Sequence, residues 1–270
     1  MNVHRADIVI GGVRVGLRTS SASFLGLVEE RYAGYLAAPG RADFEFDVDL
    51  APPAEGAPDD DVRVYRREGE WRIERGDFRA SLDPVVRRGR IRQSENPYSI
   101  DTVLRIVHTL ALAAEGGLLL HAASAIVDGR ASLFAGVSGA GKTTLSRLAP
   151  PGARLLSDEI SYVRRTPGGY DAHGTPFAGE LARSGENVAA PLAAIYLLDK
   201  GPVHRIEDVE PAAAARAILA NVLFFAEDAA LVRSVFTAAL DLVEAVPVRR
   251  LTFAPEASVW EVIAAQGSAR

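Results

Sequence analysis

Gly136, Gly141, Lys142 and Thr143 stand in the order G-x-x-x-x-G-K-T, inside the stretch GVSGAGKTT. Glycines at these positions let a backbone turn so that several N–H groups point inward. With the start of a following helix, the turn forms a concave site for phosphate oxygens. Lys142 is expected to reach the β- and γ-phosphates of a nucleoside triphosphate, and the Thr143 hydroxyl to hold Mg²⁺. Ser138, Gly139, Ala140 and Thr144 complete the segment expected to wrap the nucleotide. The lysine is scarce: the chain holds Lys142 and Lys200 against 28 arginines.

A phosphate loop needs an acid, for magnesium or for the nucleophile. Two candidates close strand-like runs. Asp199 ends Ile195-Tyr196-Leu197-Leu198, the late position of an ordinary Walker B acid. Asp158-Glu159 ends Arg154-Leu155-Leu156-Ser157, soon after the loop. Position alone does not choose between them. Two large groups are argued against: no N-K-x-D is present to read guanine, and no L-S-G-G-Q to mark a transporter ATPase.

The elements that must position these residues follow from pattern. Two strand-like runs, Leu118–Val127 and Arg130–Ala135, are joined by Asp128-Gly129, a strong hairpin signal. The second run leads straight into the loop, and Thr144–Leu148 is expected to be helix until Pro150-Pro151-Gly152. Leu155–Val163 reads as one strand carrying Asp158-Glu159, Gly168–Glu180 as loop, and Ala193–Leu198 as strand. Pro211–Glu227 and Ala229–Ala245 read as helices, Val248–Phe253 as a strand, and Ser258–Ala265 as a last helix. Upstream, Ile100, Val103, Leu104, Val107 and Leu110 recur at helical spacing between Asn96-Pro97 and Gly116-Gly117.

Residues 1–95 read as a small α+β region without visible chemistry, and 96–270 as an α/β sheet domain. The first region has strands around Gly11-Gly12, a helix near Ser23–Leu36 and a strand over Phe44–Leu50. A loop follows over Ala51–Asp61, and then strands over Val62–Arg66, Trp71–Glu74 and Phe78–Leu82. The clusters Val62–Arg67 and Arg87–Arg92 read as solvated strand faces. His173 and His204 read as ordinary structural residues, and His108 falls on the less apolar side of its helix.

The 270 residues carry a net charge of −5 and no cysteine. That excludes disulfides, thiolate catalysis and zinc–sulfur sites, and argues against sequence-independent nucleic-acid binding. The first residues lack the apolar core of a secretory signal, and no run is long enough for a membrane span. A cytoplasmic location without membrane partners is the expectation.

The stretch LLLHAASAIVDGRASLFAGVSGAGKTTLSRLAPPGARLLSDEISYV resembles the catalytic core of the HPr kinase/phosphorylase family, which shares its nucleotide-binding fold with ATP-dependent phosphoenolpyruvate carboxykinase. The likeness covers about residues 97–200. It implies a P-loop mixed β-sheet domain of that type, with ATP and Mg²⁺ as cofactors. It also implies roles for individual residues. His121 matches a strand histidine ahead of the loop, and Asp158-Glu159 matches the family's acidic pair. Glu180, in HGTPFAGE, matches a downstream magnesium-binding glutamate. Asp158 would then take the proton from an acceptor hydroxyl, His121 would orient Asp158 or meet the γ-phosphate, and Thr143, Glu159 and Glu180 would hold the metal. By position alone, and not from the resemblance, Arg183, three residues beyond Glu180 in a loop able to cover the site, is expected to neutralise transition-state charge.

The chain departs from the family in having Ile160 where an arginine follows the acidic pair, and Glu as the second acid. The family's C-terminal arginine motif has no clear counterpart. The resemblance therefore implies kinase chemistry without carrying over phosphorolysis or HPr as substrate. Shortened relatives of this kind tailor ribosomally made peptides, lasso-peptide precursors among them. The expected function is an ATP- and Mg²⁺-dependent kinase acting on a hydroxyl, serine first, of a peptide or small protein. A nucleotide-binding switch with weak ATPase activity and a small-molecule kinase are the alternatives. HPr kinases assemble as hexamers, which leaves a homo-oligomer open here.

Overall fold

The computed structural model describes residues 2–52, 61–225 and 228–267. Most of the loop expected over Ala51–Asp61, and Ala226 and Glu227 of an expected helix, lie outside them. Two compact units divide the chain: residues 1–110 with 224–232, and residues 111–223 with 233–270. Each contains a large mixed β-sheet, so the chain is mixed α/β.

The first unit contains β1 (His4–Ile10), β2 (Val13–Thr19), α1 (Ala22–Arg31), β3 (Leu36–Ala37), β4 (Phe44–Leu50), β5 (Arg63–Arg67), β6 (Glu70–Arg75), β7 (Phe78–Asp83) and β8 (Arg88–Gln93), and α2 (Tyr98–Glu115) begins in it. Its sheet runs β3-β1-β2-β4-β8-β7-β6-β5, parallel only at β2–β4 and β4–β8. Alternation gives the sheet one apolar face, with Ile8, Leu17, Phe46, Ile91 and Ile73 fully buried. The other face is charged: Arg63 faces Glu74, Arg88 faces Glu45, and Arg90 faces Asp49. Both basic clusters are thus strands with solvated outer faces. Strand β8 falls on the Arg87–Arg92 cluster read as a strand face; RGRIRQ has a single apolar residue, Ile91, and is held by its neighbours β4 and β7.

The second unit contains β9 (Leu118–Val127), β10 (Arg130–Ala135), α3 (Lys142–Arg147), β11 (Arg154–Ser157), β12 (Ile160–Thr166), β13 (Gly169–His173), β14 (Ala189–Lys200), β15 (Arg205–Asp208), α4 (Pro211–Asn221), α5 (Ala229–Ala245, which enters it at Arg233), β16 (Val248–Phe253) and α6 (Val259–Gly267). Strands β10, β14 and β16 are mutually parallel, with β14 in the middle. The remaining pairings are antiparallel, and they run β10–β9–β12–β13–β14 before β14 returns to β10. The Asp128-Gly129 hairpin forms as expected, both residues at positive φ (50° and 74°), as a primed two-residue turn requires.

One expectation fails in an informative way. The single strand read over Leu155–Val163 is two strands, β11 and β12. They succeed one another along β9, with Ser157 opposite Ser124 and Ile160 opposite His121. The break falls on Asp158-Glu159. Ser157 causes it locally: its Oγ accepts the N–H of Glu159 (3.1 Å) and of Ile160 (2.8 Å), a side-chain turn that competes with ladder pairing.

Candidate functional site

Strand β10 ends at the fully buried Ala135, and the chain then folds back on itself. A Cβ on Gly136 would lie 2.8 Å from the Cβ of Ala140, so the first glycine is dictated by close approach. Gly139 (φ 77°) and Gly141 (φ 107°) adopt backbone conformations that side chains disfavour. Gly141 also faces the ring of Phe253 at the end of β16, which a Cβ would meet at 2.7 Å. Thus the loop between β10 and α3 is shaped against the neighbouring parallel strand. Helix α3 starts at Lys142, two residues earlier than expected, and spans six residues. So short a helix contributes little dipole.

Lys142 is buried, and its Nζ donates to the carbonyls of Gly136 (2.7 Å) and Val137 (3.3 Å). Burial pushes its pKa below the usual lysine value, while Glu159 and Glu180 act in the opposite direction. Thr143, the next residue, donates its hydroxyl to Glu180 Oε2 at 2.9 Å.

The acidic pair lies across from the loop. Asp158 is 3% exposed. Its Oδ1 accepts the N–H of Gly179 (2.9 Å) and its Oδ2 that of Leu181 (2.8 Å). Those amides belong to the stretch between β13 and β14, which is stitched to β11 at both ends. Thr175 N–H donates to Leu156 O, Gly185 N–H to Thr175 O, and Glu186 N–H to Leu155 O. The buried Thr175 hydroxyl donates to Ile160 O at 2.7 Å. Gly179 lies so close that a Cβ would meet Glu159 Cβ at 2.8 Å and Asp158 Oδ2 at 3.0 Å.

A cavity of about 470 Å³ opens between these parts, lined by most of the glycine loop and the start of α3 together with His121, Asp158, Glu159 and Glu180. Of the expected nucleotide-binding residues, Ser138, Gly139, Gly141, Lys142, Thr143 and Thr144 line the cavity; Gly136 and Ala140 shape the loop from behind. The other acid considered, Asp199, closes β14 but accepts from Arg250 (2.7 Å) outside this cavity. Arg183 is exposed and also outside its lining. His173 packs edge-on against Tyr162, and His204 meets Ser258 Oγ at 2.9 Å. His108 corrects the expectation: it is wholly buried, because α2 is covered on more than one face over Ile106–Thr109. The site residues that pattern did not single out are Ser157, Thr175 and the amides of Gly179 and Leu181. Of these, Ser157 could have been suspected as a turn former ahead of the acids.

The oxygen donors fit a hard cation. Thr143, Glu159 and Glu180 line one side of the cavity, and among the described residues no group of three His, Cys, Asp or Glu could hold a metal alone. Among the described residues, no helix is long and apolar enough to cross a membrane.

The family model of SynChlorMet cassette protein ScmC matches residues 91–266. No curated protein matches the chain.

Proposed function

We propose that this chain, which belongs to the family of SynChlorMet cassette protein ScmC, is a kinase that transfers the γ-phosphoryl group of ATP to a hydroxyl, serine first, on a peptide or small protein. The observation that carries the reading is that one cavity is lined both by a G-x-x-x-x-G-K-T loop and by Asp158 and Glu159. The likeness of residues 97–200 to HPr kinase/phosphorylase adds a precedent for both parts, and for a P-loop sheet of that type.

In this reading the loop amides and Lys142 hold the triphosphate, Lys142 exchanging its bonds to the Gly136 and Val137 carbonyls for phosphate oxygens. Thr143, Glu159 and Glu180 are the residues that would hold Mg²⁺, which supplies charge neutralisation at the transferring phosphoryl group. Asp158 accepts the proton of the acceptor hydroxyl as its oxygen attacks phosphorus and the β–γ bridging oxygen leaves with ADP. His121, paired opposite Ile160 at the strand break, holds the wall beside the acids.

The test is mass spectrometry of serine-bearing peptides and small proteins incubated with the chain, ATP and Mg²⁺. A gain of one phosphate is expected. Asp158→Asn should retain ATP binding and lose phosphotransfer by about 10²–10⁴-fold, the usual contribution of a placed base. Near-full turnover by that variant removes Asp158 from the mechanism.

One observation favours a second reading. Both oxygens of Asp158 accept backbone N–H groups, and the residue is almost wholly buried. A carboxylate so engaged suits a nucleotide-binding switch with weak ATPase activity, in which Asp158 anchors the covering segment. Slow ADP release with no phosphorylated acceptor, in wild type and in Asp158→Asn alike, would select it.

A further inference from the structure

A second cavity, of about 300 Å³, lies along the other half of β10, toward Arg130 and Ser132. Its lining is mixed, with polar and apolar surface in nearly equal parts; the apolar part includes Ala194 on β14 and Ile263 and Trp260 on α6. At its polar end stands Arg249 of β16. The Arg249 side chain is 17% exposed, yet its nearest carboxylate, Asp208, is 3.6 Å away and 96% exposed. Its closer partners are neutral: Gln266 Oε1 at 2.8 Å, and the Tyr196 hydroxyl. A largely buried guanidinium with so loose an acidic partner is under-compensated. Two arginines, Arg130 and Arg249, line the cavity against one acid, the exposed Asp128.

Trp260 connects this cavity to the phosphate loop. Its indole N–H donates to Leu145 O of α3 at 3.2 Å. Its ring packs edge-on against Phe134 (5.3 Å, 76°), which stacks on Tyr196 (5.7 Å, 14°). Phe134 is the next-to-last residue of β10 before the loop begins, and Leu145 lies three residues past Lys142. One side chain therefore touches both arms of the loop and forms a wall of the cavity.

We propose that the cavity is a second ligand site, for a small monocarboxylate with an aromatic body, and that Trp260 couples it to the phosphate loop. The aromatic body fills the apolar slot against the indole, and the carboxylate takes the planar fork of Arg249, which has five donors and matches a carboxylate with two. The volume is at the lower end of small-molecule sites, which sets the ligand's size at about that of a single-ring acid. Occupancy presses on Trp260 and so tightens or loosens its hold on Leu145.

The probe is phenylacetate, with neutral phenylacetamide as control, read by fluorine NMR of the full chain carrying 5-fluorotryptophan. The chain has two tryptophans, Trp71 and Trp260. The Trp260 resonance should shift saturably at millimolar phenylacetate while Trp71 stays still, and phenylacetamide should bind about tenfold more weakly or worse. Arg249→Gln should abolish the response; the acid–amide comparison on the unaltered chain decides the matter if that variant does not fold. Equal responses to acid and amide, joint movement of both resonances, or no saturation overturn the site. Amide exchange of residues 142–148 reads the coupling: a change on saturation is expected, and unchanged exchange overturns it. None of these measurements uses nucleotide, so a failure of the kinase reading leaves them standing.

Discussion

Glu180 accepts the hydroxyl proton of Thr143 at 2.9 Å, across 37 residues of chain. In the function proposed above, that hydroxyl would be the metal's place. Without metal, the proton of Thr143 points at the carboxylate; with Mg²⁺ in the loop, the Thr143 oxygen would have to present a lone pair instead. Glu180 is thereby predicted to distinguish metal-bound from metal-free nucleotide. Glu180→Gln keeps the shape and removes the charge. Calorimetry should show affinity for ATP with Mg²⁺ falling by about tenfold, or about 1.4 kcal/mol. Affinity for ATP without Mg²⁺ should hold or rise, because a carboxylate beside the phosphates has gone. A parallel loss under both conditions would place Glu180 outside the metal site.

Gly179 is the tightest point of the covering segment, and the prediction there concerns order before activity. In Gly179→Ala the new methyl meets Glu159 and Asp158, so the segment must lift and the two N–H bonds to Asp158 must lengthen. Bonds to a carboxylate contribute about 1.5–3 kcal/mol each. The Leu181 amide, hydrogen-bonded to Asp158, is expected to exchange slowly in the wild type and at least tenfold faster in the variant. Unchanged protection would mean that Asp158 does not hold the segment.

The loop glycines separate two physical effects. Gly139 and Gly141 both have positive φ, but only Gly141 faces a neighbour, the Phe253 ring at 2.7 Å from a would-be Cβ. Gly139→Ala should cost about 1 kcal/mol of stability, the ordinary strain of a side chain there. Gly141→Ala adds overpacking, typically about 1–3 kcal/mol more. It should also displace the start of α3 and with it Lys142. Thermal melts and ATP titrations of the two variants should differ in this order; equal losses would show that Phe253 yields.

The parts of this site that were legible in the sequence are the local ones. The Asp128-Gly129 hairpin, the glycine loop and the apolar β9 carry their signals within a few residues. What was not legible depends on distant partners. β15, with the sequence RIED, is a strand because β16 supplies its hydrogen bonds, not because its residues alternate; β8 (RGRIRQ) does alternate, but with Ile91 as its single apolar residue it too leans on its neighbours. The split at Asp158-Glu159 needed the Ser157 hydroxyl to outcompete the ladder; a serine before two acids hints at a turn, but not that the turn defeats strand pairing. The partners of Asp158 are backbone amides more than twenty residues away, and amides leave no trace in residue identity.

His108 gives a prediction for acid stability that is independent of any ligand. It is fully buried, and burial lowers its pKa from 6.5 to about 3, with Asp43 acting weakly the other way. In the folded chain it therefore stays neutral through the range where the unfolded chain takes up a proton. The unfolded state binds more protons between pH 6.5 and about 3, so stability is full above 6.5 and falls as the pH drops through that window. The slope is about 1.4 kcal/mol per pH unit while the window is open. From pH 7 to pH 5 the first unit should lose about 2 kcal/mol by this route. Urea unfolding followed through Trp71, in a Trp260→Phe background, reads that unit. His108→Leu should flatten the dependence between pH 7 and 5. If the variant loses stability with acid as steeply as the parent, His108 is not the group being protonated, and the first unit's acid sensitivity has another source.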